Sequence, residues 1–289
     1  YHGIIKKINW KAITMKIVVS SDNHLDVNRI SPAEALAFQA QYLNQIKADY
    51  YLFAGDMFND FLKTKSYLEE LNDLIAGQVF FIAGNHDMLK NVTFSQLESP
   101  LSPCYLHNQA YDFPDSAWRL IANNGWYDYS FSPQLDVEEV ARWKKAYWVD
   151  AGVNQPLSDL ERMNLVITQV QEQLTAAKTA GKRVIFLTHF VPHRDLLWAR
   201  PTHFSKPRYE RVYEMVNAFL GSQRLAELLE AYPNVYYTFY GHVHGRHPAL
   251  THGQLTYFNQ AVGVRRRHEW QAADFENQWL ASLQEIKIN

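Results

Sequence analysis

One cysteine, Cys104, stands in 289 residues. A lone thiol closes no disulfide within the chain and builds no thiolate-rich zinc site. Metal chemistry here therefore has to use imidazole, carboxylate and amide ligands, and the compartment this suggests is the cytoplasm. Long apolar runs are also missing. The most apolar stretches, Met15–Ser20 and 184–190, have strand length, against the ~20 residues needed to cross a bilayer, so no membrane insertion is expected. Charge of one sign is scarce: 28 Lys and Arg face 30 Asp and Glu, leaving −2 overall. That balance supplies no basic footprint for broad nucleic-acid binding, although a short or single-stranded nucleic acid stays open as a substrate. There is no internal repeat and no Pro/Gly/Ser-rich linker. Residues 1–14 begin with Tyr, precede a natural-looking start at Met15, and are expected to be an extension or appended remnant outside the fold.

What is present is α/β material. The chain is 47% hydrophobic and 14% aromatic, enough for a sizeable core. Strand-like runs are 16–20, 50–54, 78–83, 118–122, 183–188, 235–240 and 254–258, with a further strand-like run near 279–288. Between them lie helical patterns at about 31–48, 61–76, 136–149, 157–180, 207–219 and 222–231. Ser31-Pro32-Ala33-Glu34 supplies a cap, a first-turn proline and a capping-box acid. Strand, loop, helix, strand at this spacing predicts parallel βαβ units. We expect a single domain over 15–289, with the helices near 130–180 as an insertion or cap.

Five strand candidates end in groups able to bind metal: Asp22-Asn23-His24, Gly55-Asp56, Asn85-His86-Asp87, His189 and His242-Val243-His244. A lone Asp at a strand end is usually a turn former, and a lone His after an apolar run is usually a half-buried imidazole. Five such clusters in one register are different, because α/β sites form beyond the carboxyl ends of strands and these ends converge. Asp-x-His and His-x-His on extended chain also point alternate side chains to one face.

In order, residue type and placement, the series resembles the five-block signature of the calcineurin-like metallophosphoesterases, over about 22–244. The resemblance implies an α/β fold of two facing mixed sheets flanked by helices. It implies two divalent ions per chain: Asp22, His24 and His244 on one, Asn85, His189 and His242 on the other, with Asp56 bridging. His86 matches the family's non-ligand histidine beside the leaving group, placed to donate a proton or to hydrogen-bond the phosphate. In the phosphoprotein-phosphatase branch an Asp three residues after the bridging Asp orients this histidine. Here that position is Asn59, followed by Asp60, a departure that argues against that branch.

The expected reaction is hydrolysis of a phosphomonoester or phosphodiester. Two carboxylates against two divalent cations leave roughly +2, which suits a phosphoryl group whose charge spreads in the transition state. Metal-bound water titrating near ~7 would supply hydroxide as the nucleophile. Nitrogen and oxygen donors without sulfur fit manganese, iron or zinc better than magnesium or calcium. Alternatives are a nuclease of the same superfamily and a scaffold that keeps the fold without catalysis. Candidates for contacting the phosphate ester or supporting the ligands are Arg29, His193, Arg246, Trp126 and Tyr127, together with Asn59 and Asp60. His203 and the run Arg265-Arg266-Arg267 are more remote candidates.

Overall fold

The central strands of this chain are apolar on both faces, and the fold covers both. The computed structural model describes residues 14–200, 206–245 and 247–289, so most of the expected 1–14 extension lies outside the described residues. The first half forms β1 (Met15–Ser20), α1 (Pro32–Gln45), β2 (Tyr50–Phe53), α2 (Phe61–Leu74), β3 (Gln78–Phe81), α3 (Phe94–Leu97), β4 (Gln109–Asp112) and β5 (Trp118–Ala122). The second half adds α4 (Val137–Tyr147), α5 (Asp159–Thr179), β6 (Arg183–Leu187), α6 (Pro207–Asn217), α7 (Gln223–Glu230) and β7 (Val235–Tyr240). It closes with β8 (Leu250–His252), β9 (Leu255–Asn259), α8 (Phe275–Ser282) and β10 (Gln284–Ile288).

Two mixed sheets result. One has the order β10-β1-β2-β3, the other β4-β5-β6-β7-β9-β8. The central strands run parallel, and the antiparallel strands β10, β4 and β8 lie at edges. Successive side chains on a strand point to opposite faces. Met15, Ile17 and Val19 of β1 join Leu52, Phe80, Leu120, Ile185 and Leu187 in a core between the sheets. Val18, Tyr51, Phe81, Val184 and Phe186 face outward under helical side chains such as Leu36, Leu68, Leu71, Val170 and Leu229. The architecture is an α/β sandwich of two facing sheets between helical layers.

The helices expected near 130–180 are α4 and α5, and both lie in the crossover between the parallel neighbours β5 and β6. Serine and glutamate at 158 and 161 form a capping box that starts α5. The run near 279–288 departs from the expected strand: its first part belongs to α8, and β10 begins only at Gln284. Asp274 caps α8 by accepting the Asn277 amide at 2.8 Å, and Trp279 is buried on its inner face. A cap plus one apolar stripe outweighed the strand-like composition. Among the described residues no helix is long and apolar enough to cross a membrane.

The carboxyl ends of the two sheets are tied together. Ser21, just after β1, forms a parallel bridge with Ala261, just after β9. Val262 donates to the Ser21 carbonyl and Gly263 to the Asp22 carbonyl, each at 3.0 Å. The Asn124 side chain accepts the Ala83 amide at 2.9 Å, linking the end of β3 to the end of β5. These ties set the loops of both sheets facing one another.

Trp279 fastens α8 to α1 and β2, its ring 5.9 Å from Phe38, 5.7 Å from Tyr42 and 6.3 Å from Tyr51. Trp279→Ala should lower the unfolding free energy by about 3–5 kcal/mol in denaturant titration, the cost of a large buried cavity.

Candidate metal centre

Each strand end delivers its side chains through a backbone shape that the sequence makes possible. Asp22, His24, Asp56 and His242 all take left-handed φ values, of 54°, 44°, 67° and 68°. Asp and His tolerate this region better than branched residues do, and such strain gathers at functional sites. Two glycines allow the close approach. A Cβ on Gly84 would lie 2.1 Å from Asp56 Oδ1, and one on Gly241 would lie 2.4 Å from Asp22 Oδ2. The small residue before Asn85 and before His242 is thus a matter of space beside a carboxylate.

Seven side chains converge: Asp22, His24, Asp56, Asn85, His189, His242 and His244. On one side Asp22 Oδ1 lies 3.2 Å from His244 Nε2, which is 3.1 Å from His24 Nε2. On the other, Asn85 Oδ1 lies 3.1 Å from His189 Nε2 and 3.0 Å from His242 Nδ1, and those two nitrogens are 3.2 Å apart. Asp56 Oδ2 sits between, 3.7 Å from His24 Nε2 and 3.4 Å from His189 Nε2. Asp22, His24 and His244 form one group able to hold a cation, and Asp56, His189 and His242 form another. Imidazole nitrogens crowded against one another and against carboxylates make a donor set that suits cations.

Partners behind the cluster orient most of these groups. His189 Nδ1 donates to the Ala54 carbonyl at 2.8 Å, and His244 Nδ1 faces Glu269 Oε2 at 2.8 Å. His242 Nε2 lies 3.3 Å from the Phe219 carbonyl. Each contact fixes the ring so that its other nitrogen faces the cluster. His24 Nδ1 is buried without such a partner. Asn85 Nδ2 donates to Asp150 Oδ1 at 2.6 Å, which turns the amide oxygen inward.

Burial and charge pull the four imidazoles apart. Desolvation lowers His24 to about 3 and, helped by the charge of His189, lowers His242 to about 3. Burial also opposes protonation of His189, but the charge of Asp56 and the hydrogen bond to it prevail and raise it to about 9. His244 rises to about 10, because its hydrogen bonds to Asp22 and Glu269 outweigh desolvation. In turn Asp22 and Asp56 fall below the usual carboxylate range, burial being overcome for Asp22 by its His244 bond and for Asp56 by the charges of His189 and His86.

His86 lies beside the cluster, its ring 4.7 Å from that of His24. Its Nδ1 donates to Asn59 Oδ1 at 2.6 Å. Asn59 cannot turn, because its backbone N–H and its Nδ2 both donate to Asp26 Oδ2 at 2.9 Å. The amide therefore orients His86 without adding a charge.

The remaining expected contacts fall at several places in the fold. Asp60 caps α2, accepting the amides of Leu62 and Lys63, and also binds Asn91. Trp126 and Tyr127 are fully buried: Trp126 Nε1 donates to Asp159 at 2.7 Å, and Arg162 stacks on its ring at 3.7 Å. They pack in the core against Asp159 and Arg162 of α5. His193 accepts the Asp195 amide and groups with Glu230 and His252, apart from the seven. Arg29 is exposed on a left-handed turn after β1. Arg246 and His203 lie outside the described residues.

Three groups escaped the sequence reading. Glu269 and Asp150 touch residues of the cluster but stand in no motif, 25 and 65 positions from their partners His244 and Asn85. Trp198 is 51% exposed, packs against Gly245 and His247, and donates Nε1 to the His244 carbonyl at 3.3 Å. Its isolation in a proline-flanked loop gave no signal.

A calcineurin-like phosphoesterase family model matches residues 15–246. The chain belongs to this family. It is a metal-dependent phosphoesterase, and its substrate is a phosphate ester. No curated protein matches the phosphoesterase in sequence. Among solved structures it is similar to a dimetal phosphatase from Danio rerio, at 14% identity and a TM-score of 0.49, covering 85% of this chain and 86% of that one. It is also similar to a putative 5'-nucleotidase from Staphylococcus aureus, at 16% identity and a TM-score of 0.46, covering 86% of this chain and 48% of that one. A third similar chain is an anchor in the inner membrane complex of Plasmodium, at 12% identity and a TM-score of 0.49, covering 86% of this chain and 72% of that one.

The raised values of about 9 for His189 and about 10 for His244 set a proton balance for metal binding. Both values lie above neutrality, so a divalent cation held by these rings would displace protons from them. Calorimetry of manganese binding in buffers of different ionisation enthalpy should show proton release. Apparent affinity should climb as pH rises toward about 9; affinity independent of pH would contradict this protonation pattern.

Proposed function

We propose that this chain hydrolyses a phosphomonoester or phosphodiester at a centre of two divalent ions. Asp22, His24 and His244 hold one ion, Asn85, His189 and His242 hold the other, and Asp56 is shared. The observation that carries this reading is the position of Asp56 Oδ2, 3.7 Å from the His24 nitrogen and 3.4 Å from the His189 nitrogen. A carboxylate can serve two cations, whereas one imidazole nitrogen serves one. Nitrogen and oxygen donors without sulfur support manganese, iron or zinc. The ions, when bound, draw charge from the phosphoryl oxygens and make water acidic enough to serve as nucleophile near neutral pH.

The protein's own groups then position and move protons. With Nδ1–H bonded to Asn59, His86 carries a proton on Nε2 only as imidazolium, and in that form it donates to the leaving oxygen. Asp87 and Asp150, both buried, keep the loops of Asp56 and Asn85 in register. We read 15–289 as one domain in the cytoplasm, a setting supported by the free, buried Cys104.

Elemental analysis of purified protein should find two ions per chain. Asp56→Asn should lower that content and abolish hydrolysis of an aryl phosphodiester; a variant with both intact would overturn the shared-carboxylate reading. His86→Ala should retain its metal while kcat falls about 10²–10⁴-fold. A loss of metal together with activity would instead make His86 a ligand.

A further inference from the structure

Beside the metal centre the turn after β1 and the chain after β9 enclose a cavity of about 660 Å³. Asn28 and Arg29 line one wall, and Arg265, Arg266, His268 and Trp270 line the other. We propose that this cavity binds a chain of consecutive phosphates on a small-molecule ligand.

The arginines carry the argument. Among the described residues Arg29, Arg265 and Arg266 form no ion pair, whereas Arg119, Arg142, Arg200, Arg211 and Arg224 each face an Asp or Glu. The carboxylates that flank the three in sequence are engaged elsewhere. Asp26 binds Asn59, and Glu269 binds His244 and the Val264 amide. Guanidinium groups from chain segments more than two hundred residues apart thus meet around one space with no carboxylate among the residues that line it. Each presents a planar fork that matches phosphate oxygens. Several forks around one cavity suit a phosphate chain better than a single phosphate.

The walls are built rather than accidental. Asn28 donates through Nδ2 to the carbonyls of Asn23 and Gly263, at 3.0 Å each, and its Oδ1 accepts the Arg265 amide at 2.9 Å. Trp270 Nε1 donates to the same Gly263 carbonyl at 2.9 Å, and the Arg265 guanidinium lies 5.9 Å from its ring. Arg29 and His268 are held at left-handed φ values of 57° and 59°, which free chains avoid for such residues. One wall is continuous with the metal centre: Gly263 donates to the Asp22 carbonyl at 3.0 Å, and a Cβ on it would lie 3.2 Å from the Cβ of His244. The cavity is of small-ligand size, and the net charge of −2 gives no extended basic surface for a long polyanion.

That the bound phosphates belong to the enzyme's substrate rests on the phosphoesterase reading; the binding itself does not. Calorimetry with inorganic tripolyphosphate, on protein kept in EDTA, separates the two because no catalysis occurs. Wild-type protein should bind, and the double variant Arg265→Ala/Arg266→Ala should bind at least about tenfold more weakly while its thermal melt is unchanged. Arg265→Lys/Arg266→Lys should recover part of the affinity. No binding by wild-type protein, or equal binding by the alanine variant, would overturn the proposal. A short single-stranded oligonucleotide that binds more tightly than tripolyphosphate and is lost in the same variant would also overturn it, assigning the cavity to a nucleic-acid strand.

Discussion

Beneath the cluster, the Asp87 carboxylate turns away from the imidazoles and toward the backbone. Its Oδ2 accepts the amides of Asp56 and Gly84 at 2.6 and 2.9 Å, and its Oδ1 accepts those of Met57 and Phe58 and the Thr64 hydroxyl. A fully buried carboxylate is costly unless its lone pairs are filled, and here five donors fill them. Those donors come from the loop after β2, the loop after β3 and helix α2. One side chain therefore fixes how far Asp56 stands from Asn85 and His86. Burial and the nearby charge of Asp56 push Asp87 up to about 7, so this anchor and the Asp56 carboxylate repel each other across the loop. A cation on the Asp56 side would relieve that repulsion.

The same economy explains why strained backbone is tolerated. Four of the seven converging residues have positive φ, a conformation that local preference opposes. They hold it because hydrogen bonds on both sides determine the loops. Asp22 donates its amide to Gly55 at 2.9 Å, His24 to Asp56 and Leu25 to Met57 at 3.0 Å each. The loop after β1 therefore lies along the loop after β2 like a short extension of the sheet. The Ser21–Ala261 bridge does the same between sheets. Side-chain geometry at the centre is thus inherited from backbone pairing, which leaves little freedom for the ligands to drift.

Much of this was legible in the sequence because it obeys short-range rules. The buried strands read as uninterrupted apolar runs, and the cap at Ser31 marked a real helix start. The five metal-capable blocks occupy five strand ends that meet. What was not legible depends on where a face points. Trp126 and Tyr127 looked suited to stacking a substrate, but an aromatic residue near a site reads the same whether its ring faces the cleft or Arg162 and Phe190 in the core. Asp60 follows Asn59 directly, so proximity suggested a shared role, whereas its backbone starts a helix and its carboxylate caps it. Glu269 and Asp150 meet their partners only through tertiary packing, which spacing along the chain cannot reveal. The last strand was misplaced because α8 and β10 adjoin without a glycine or proline between them.

The pairing of β1 with both β2 and β10 has a consequence for how the protein is made. A chain emerging from the ribosome presents Asp22, His24, Asp56 and Asn85 early, on strands that can already pair. His242, His244 and the supporting Glu269 emerge near the end, and β10, which flanks β1, comes last. His189, after β6, is the first group from the second sheet to face Asp56, whereas Asp22 meets His244 only later in the chain. A chain that reaches only β6 lacks His242, His244 and Glu269, which face Asn85 and Asp22 or hold a ring of the cluster. The cluster is therefore assembled from both the early and the late parts of the chain, and it closes only when β7 and the segment that follows it fold against β1.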